Sequence, residues 1–172
     1  REQLAARALA AVSAAQPCDE REQVAQEAFV ERLGLEAEMV RARLNRSEMS
    51  VITSDLHDLR SAFDLMPRSG EEAWHNISQR LAGVSEALRG YRATLLTEAQ
   101  RGNVRAARQY GEVAAQVRSW TAPETNVFSG LLAEAEASSD VNGPLRRRLA
   151  QHVAQASTAL SRFGDFLTVP PI

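Results

Sequence analysis

The sequence contains a single cysteine, no lysine and no long apolar run. With Cys18 as its only thiol the chain cannot form an internal disulfide, and we therefore predict a reducing, cytoplasmic location. A helix that spans a bilayer needs about 20 mostly apolar residues. The apolar stretch 4–15 is shorter and lacks the basic leading region of a signal peptide, so we interpret it as an amphipathic helix.

The sequence also has no large excess of either charge, since it contains 20 arginines and 22 acidic residues and its net charge is −2. This balance gives no general attraction to nucleic acids or anionic membranes, and we predict neither as a partner. The densest basic runs are 146–148 and the spaced set Arg101, Arg105 and Arg108. Because neither run is interleaved with aromatic residues, we interpret both as solvated helix faces.

Aromatic residues make up only 5% of the chain, whereas alanine is abundant. This composition favours helices over a β-sandwich, and no segment alternates like a strand. The sequence predicts an all-α fold, an antiparallel bundle of about six to seven helices joined mostly by short loops. We predict one helical domain over 1–172. The chain starts at Arg1 and not at methionine, and 168–172 resembles the start of a linker, so we interpret it as a fragment of a longer protein.

The best-specified feature is a long central helix that begins near Ser69 and stops at Gly102. Ser69 and Glu72 have the spacing of a capping box. Gly83 and Gly90 lie inside this helix, where they would allow a close helix approach or mark a bend. Seven apolar residues recur at 3-4 spacing, as in a heptad seam: Trp74, Ile77, Leu81, Val84, Leu88, Tyr91 and Leu95.

The other helices carry weaker start signals. Asp19 and Glu22 form a second capping box at the start of the second helix, where apolar residues lie in two adjacent rows. Ser54 and Asn103 are predicted N-caps, and Pro144 suits the first turn of the last helix. That helix repeats the 3-4 pattern at Leu145, Leu149, Val153, Ala156, Leu160, Phe163 and Leu167.

Chemistry-bearing motifs are scarce. Glu72 and His75 have the Glu-x-x-His spacing of a di-iron carboxylate site, but no second pair exists and Glu72 already serves the capping box. There is no His-Glu-x-x-His motif, no serine-nucleophile elbow, no phosphate-binding loop and no histidine beside Cys18. We therefore predict no catalytic, cofactor-binding or metal-binding residue within this chain.

One stretch resembles a known family. The run Ser54-Asp55-Leu56-His57-Asp58-Leu59-Arg60-Ser61-Ala62-Phe63-Asp64-Leu65-Met66-Pro67 is similar to a signature of the bacterial family called domain of unknown function 885. The likeness continues in order and at about the family's spacing, and covers the chain from about Asp19 onward. Its further elements are Arg80-Leu81, Gly90-Tyr91-Arg92-Ala93-Thr94-Leu95, Gly102, Arg108-Gln109, Trp120, Phe163, Phe166, Leu167 and Pro170.

The resemblance implies a function that this chain performs only in part. Members of the family are longer and resemble zinc-dependent peptidases of the gluzincin type, with a metal motif similar to His-Glu-x-x-Pro-Gly-His that lies downstream. No position here matches that motif, so no metal or catalytic residue carries over. The resemblance implies a helical N-terminal region that forms a wall or lid of the substrate cleft, with zinc, a peptide-like substrate and the catalytic half of the chain as the expected cofactor and partners.

An alternative remains open from the sequence. The seam from Trp74 to Leu95 is also typical of a stand-alone helical module that binds a partner helix. A homodimer through exposed apolar helix faces is a further expectation for a shortened chain.

Overall fold

The computed structural model of the chain describes residues 2–44 and 46–169. Within these ranges the chain is all-α, with seven helices and no strand, which confirms the predicted fold class. No described helix is both long and apolar enough to cross a membrane. The helices are α1 Glu2–Ala14, α2 Glu20–Arg41, α3 Asp55–Asp64, α4 Glu71–Ala99, α5 Ala107–Thr121, α6 Ser129–Ala137 and α7 Gly143–Thr168.

The chain divides into two compact units, residues 1–47 and residues 48–172. Two compact units can belong to one domain or to two, so the single domain over 1–172 stays a prediction. The predicted linker at 168–172 falls mostly on residues 170–172, which lie outside the described ranges.

The first unit consists of α1 packed against α2. The predicted capping box starts α2, because the backbone N–H of Glu22 donates to Asp19 Oδ1 at 2.7 Å. The Glu22 carboxylate accepts from the backbone N–H of Cys18, one residue earlier than the capping-box pattern has it. The side chain of Gln26 donates to the carbonyl oxygens of Val12 and Ala15, at 2.7 and 2.8 Å. These bonds satisfy carbonyl groups at the end of α1 that have no partner within the helix.

The two rows of apolar residues in α2 are not buried. The described helix contains no buried residue, and Val24, Phe29 and Leu35 are each about half exposed or more. Glutamate and arginine interrupt both rows, so no face of α2 is wholly apolar.

The second unit is built around α4, α5 and α7. All seven predicted seam residues of α4 are buried, and so are the seven residues predicted for the last helix. The 3-4 repeat in these two helices therefore forms the core, as the periodicity predicts. The helices α3 and α6 cover this core with Leu56, Phe63 and Leu131.

The helices α4 and α7 run parallel to each other. Residues that contact each other across the pair have numbers that increase together along both helices. Ser78 Oγ lies 2.9 Å from His152 Nδ1, and further along both helices the rings of Tyr91 and Phe163 stack. The α5 helix runs antiparallel to α7, because Val117 lies against Gly164 while Asn126, beyond the end of α5, donates to Ser157. The short loops predict that helices adjacent in the sequence pack antiparallel. The parallel α4–α7 pair does not contradict this prediction, because these two helices are not adjacent in the sequence.

Close helix packing involves a glycine that the sequence does not single out. A Cβ on Gly164 would lie 2.8 Å from Val117 Cγ1. Nothing lies within 4 Å of a Cβ built on Gly83 or Gly90, so these two do not allow a close approach. The α4 helix also runs without interruption through both positions.

Two predicted caps are wrong. Gly70, with φ of 84°, is the N-cap of α4, so Ser69 and Glu72 form no capping box. Ala106 precedes α5, while the side chain of Asn103 donates to Glu98 at 2.9 Å.

The remaining predictions at helix ends hold in part. Ser54 occupies the N-cap position of α3 but makes no side-chain capping bond. Asn142 caps α7 by accepting from the backbone N–H of Leu145, and Pro144 lies in the first turn as predicted. Gly102, with φ of 75°, follows the end of α4.

Candidate functional site

The segment that leads into the signature run is irregular, and its backbone is held by side chains of α4 and α5. The Tyr91 hydroxyl donates to the carbonyl oxygen of Glu48 at 2.6 Å. The Gln116 amide donates to the carbonyl oxygen of Val51 at 3.0 Å. The side chain of Met49, between these two anchors, is 1% exposed. A segment without regular structure is thus fixed where its carbonyl groups find donors.

Tyr91 is suited to this role because its phenol stays protonated. Burial raises the pKa of Tyr91 above its ordinary value, and the nearby Asp55, Tyr110 and Glu48 act in the same direction. Burial also raises the pKa of Tyr110, although Arg105 partly offsets the effect. A phenol with a raised pKa is a poor proton donor to a substrate at neutral pH but a stable hydrogen-bond donor to a backbone carbonyl.

The signature run brings His57 against Trp120 of α5. We call Ser54, His57, Arg60 and Trp120 the His57 cluster. The His57 ring lies edge-on to the Trp120 ring, with centroids 5.2 Å apart, and the Arg60 guanidinium lies 5.3 Å from the Trp120 ring centroid. His57 Nε2 is buried without a hydrogen-bond partner. The cluster thus combines a cation, two rings and one unsatisfied polar atom.

The His57 cluster contains a serine–histidine contact, which elsewhere can activate a nucleophile. Ser54 Oγ lies 2.8 Å from His57 Nδ1, and a second such contact joins Ser78 to His152 at 2.9 Å. Ser54 is 7% exposed and Ser78 only 3%. Both serines are thus part of the packed interior, and their hydroxyl groups satisfy the neighbouring imidazole rings.

His75, which has the Glu-x-x-His spacing with Glu72, lies with its Nε2 3.7 Å from Oε1 of Glu71, one helical turn earlier. Among the described residues, no three His, Cys, Asp or Glu side chains converge closely enough to share a metal ion.

The sequence interpretation misses one buried acidic residue. Glu98 is 1% exposed, and its carboxylate accepts from the Asn103 side chain while Arg101 lies 3.8 Å away. The backbone N–H of Asn103 also donates to the carbonyl oxygen of Glu98. Glu98 follows Leu95 by three residues and so occupies the next position of the seam. Extending the 3-4 repeat by one step would have found it.

Arginines of the two basic runs contact different groups of the protein. Arg108 lies 3.8 Å from Glu112, and Arg146 donates to the carbonyl oxygen of Val141. Arg89 and Arg92 from α4 and Arg162 from α7, which belong to neither run, line one cavity together. The sequence gives no signal for this set because two separate helices contribute to it.

Comparison with known proteins identifies a family for nearly the whole chain. The model of a family described as "Bacterial protein of unknown function (DUF885)" matches residues 1–170. The match therefore starts before Asp19, where the resemblance in sequence begins. No curated protein matches the chain.

Proposed function

Because the chain belongs to the DUF885 family of bacterial proteins, we propose that it serves as a non-catalytic helical wall beside the substrate cleft of a zincin-like hydrolase. The observation that carries the proposal is the use made of the signature run. Ser54, Leu56 and Phe63 are buried and hold α3 against the core. A signature run that contributes residues to the core supports a scaffold role.

Under this proposal the reacting groups belong to a downstream part of a longer protein. Zinc and a peptide-like substrate would be bound there, and the helical wall would limit access to the cleft by size. The two backbone anchors, Tyr91 to Glu48 and Gln116 to Val51, support this role because a wall that selects by size must be rigid.

The first test uses the chain alone. We expect the purified chain, after incubation with zinc and exhaustive dialysis, to retain no stoichiometric zinc and to hydrolyse no fluorogenic peptide. A zinc peptidase of known stoichiometry, treated in parallel, is the control. One tightly bound zinc per chain would contradict the proposal, as would a reading frame that encodes no downstream His-Glu motif.

The second test uses the longer protein. We expect Tyr91→Phe, which loosens the wall, to change the ratio of kcat/KM for long and short peptides while the zinc content stays the same. Arg118→Gln, at an exposed position of α5, is the matched control and should leave the ratio unchanged. An unchanged ratio in Tyr91→Phe, with normal folding, would argue against a wall that selects by size.

A stand-alone interaction module is the second candidate. The seam itself cannot bind a partner helix, because its residues are covered within the chain and none is more than 8% exposed. The exposed Val24, Phe29 and Leu35 support a homodimer through α2 instead. Light scattering tests the second candidate, because a monomer at all concentrations would contradict the dimer.

A further inference from the structure

Positively charged side chains line the groove between the parallel helices α4 and α7. Arg89, Arg92 and Arg162 line a cavity of about 280 Å³ together with Ser85 and the buried Leu88 and Phe163. A second cavity of about 400 Å³ continues it along α7 and shares Ser85 and Arg162 with it. We call the two together the α4–α7 trough.

No carboxylate of the described part of the chain lines either cavity of the trough. Glu86 and Asp165, three residues from Arg89 and Arg162 respectively, lie outside the lining. Three guanidinium groups that line one surface cavity make its electrostatic potential positive. The trough is therefore complementary to a ligand that brings negative charge.

One of the three arginines is held in place before any ligand arrives. The Arg92 guanidinium lies 4.7 Å from the centroid of the Phe166 ring, a cation–π contact. The planar fork of arginine pairs with a carboxylate through two parallel hydrogen bonds. A guanidinium that is already oriented loses less conformational entropy when it forms those bonds.

The length of the trough indicates a polymer and not a small anion. Its lining on α7 extends from Gln151 to Arg162, and these eleven steps at about 1.5 Å each span about 16 Å. An extended peptide at about 3.3 Å per residue covers that distance with about five residues. At the end away from the arginines, Gln151 and Gln155 offer amide groups to a peptide backbone.

The lining also distinguishes a peptide from a nucleic acid. Single-stranded nucleic acids bind where bases stack on exposed aromatic rings beside basic residues. Phe163 is only 4% exposed and stacks on Tyr91, while Arg92 covers Phe166. No ring of the described lining is free for a base.

We propose that the α4–α7 trough binds an extended acidic polypeptide segment of about five residues, whose carboxylates pair with Arg89, Arg92 and Arg162. The proposal does not depend on a metal centre or on hydrolysis. It gives the chain a binding site of its own, within one compact unit.

The test measures the fluorescence anisotropy of a labelled six-residue peptide of glutamate and serine, added to the whole chain at low salt. A matched peptide with glutamine in place of glutamate, and an oligothymidylate of equal charge, serve as competing ligands. We expect only the glutamate peptide to bind, with affinity that falls as salt is added.

Two double variants distinguish binding at the trough from an effect of the net charge of the chain. We expect Arg89→Gln with Arg162→Gln to weaken binding about tenfold or more, since two charge-assisted pairs are lost. Arg80→Gln with Arg118→Gln removes the same charge at exposed positions outside the trough and should change affinity less than twofold. Thermal melts confirm that both double variants fold.

Three outcomes would overturn the proposal. If the glutamine peptide bound as tightly as the glutamate peptide, charge would play no role in binding. Equal weakening by both double variants would reduce the effect to net charge. Tighter binding of the oligothymidylate, with the same dependence on Arg89 and Arg162, would assign the trough to nucleic acid.

Discussion

The two compact units of this chain achieve stability in different ways. In residues 48–172, apolar residues at 3-4 spacing from α4 and α7 meet in one buried core. In residues 1–47, the described part of α2 buries no residue, and Gln26 joins the two helices by hydrogen bonds to the end of α1. The comparison teaches that helical content alone does not indicate where the stability lies, because most helical stability comes from packing of an apolar face.

The largest expected difference between the units follows from one type of substitution at two sites. Leu149→Ala, at a position 1% exposed in α7, should lower the free energy of unfolding by about 3 kcal/mol, since it removes buried surface and leaves a cavity. Leu35→Ala, at a position 50% exposed in α2, should cost less than about 1 kcal/mol. Urea unfolding of both variants measures this. Equal losses would mean that α2 is packed as tightly as α7.

The second prediction concerns glycines within the larger unit. Gly164→Ala should destabilise the protein by about 1–3 kcal/mol, because the added methyl group overlaps Val117. Gly83→Ala and Gly90→Ala are the controls and should each stabilise by up to about 1 kcal/mol, since alanine favours the helix and the space is open. Thermal melts decide the sign. A stabilising Gly164→Ala would contradict the close contact of α5 with α7.

The third prediction tests the anchored backbone of the segment that precedes the signature run. Tyr91→Phe should lower the free energy of unfolding by about 1–1.5 kcal/mol, because the Glu48 carbonyl loses its donor. Denaturant unfolding at pH 7 measures the loss. The pKa of Tyr110 is also raised by burial, but Arg105 partly offsets that shift.

The same tyrosine predicts a pH dependence with a definite sign. The folded pKa of Tyr91 is raised above the ordinary value of 10.0, so its contribution is complete below pH 10. Above that pH the unfolded chain releases a proton that the folded chain retains, and the free energy of unfolding falls as pH rises. Tyr91→Phe should flatten this fall. An identical pH profile in the variant would show that other groups cause it.

The smallest effect is expected in the first unit. Gln26→Ala removes two hydrogen bonds at a half-buried position and should cost about 1 kcal/mol, felt within 1–47 only. Hydrogen exchange should quicken in α1 and α2 and stay unchanged in α4 and α7. Quickened exchange in α7 would contradict the separate behaviour of the two units.

The sequence predicts those parts of the fold that depend on one helix at a time. The seams from Trp74 to Leu95 and from Leu145 to Leu167 are buried as the 3-4 pattern requires. The pattern fails in α2, where apolar residues recur but charged residues divide the face. It also cannot show that α4 and α7 lie side by side in parallel, since that pairing joins helices far apart in sequence.

The candidate sites were harder to predict for the same reason. The cap at Ser69 was wrong because the adjacent Gly70 adopts a positive φ and takes the N-cap position. The contact of His57 with Trp120, and the trough of Arg89, Arg92 and Arg162, each need residues from two helices. No spacing within one helix encodes such a set.

Native-state hydrogen exchange of the whole chain tests most directly the claim that the signature run belongs to a rigid scaffold. We predict that the α3 amides, next to the anchored backbone of residues 48–51, exchange nearly as slowly as those of α4 and α7, and much more slowly than those of α2. If the α3 amides exchanged as fast as those of α2, the signature run would be mobile, and the proposed wall would lose its physical basis.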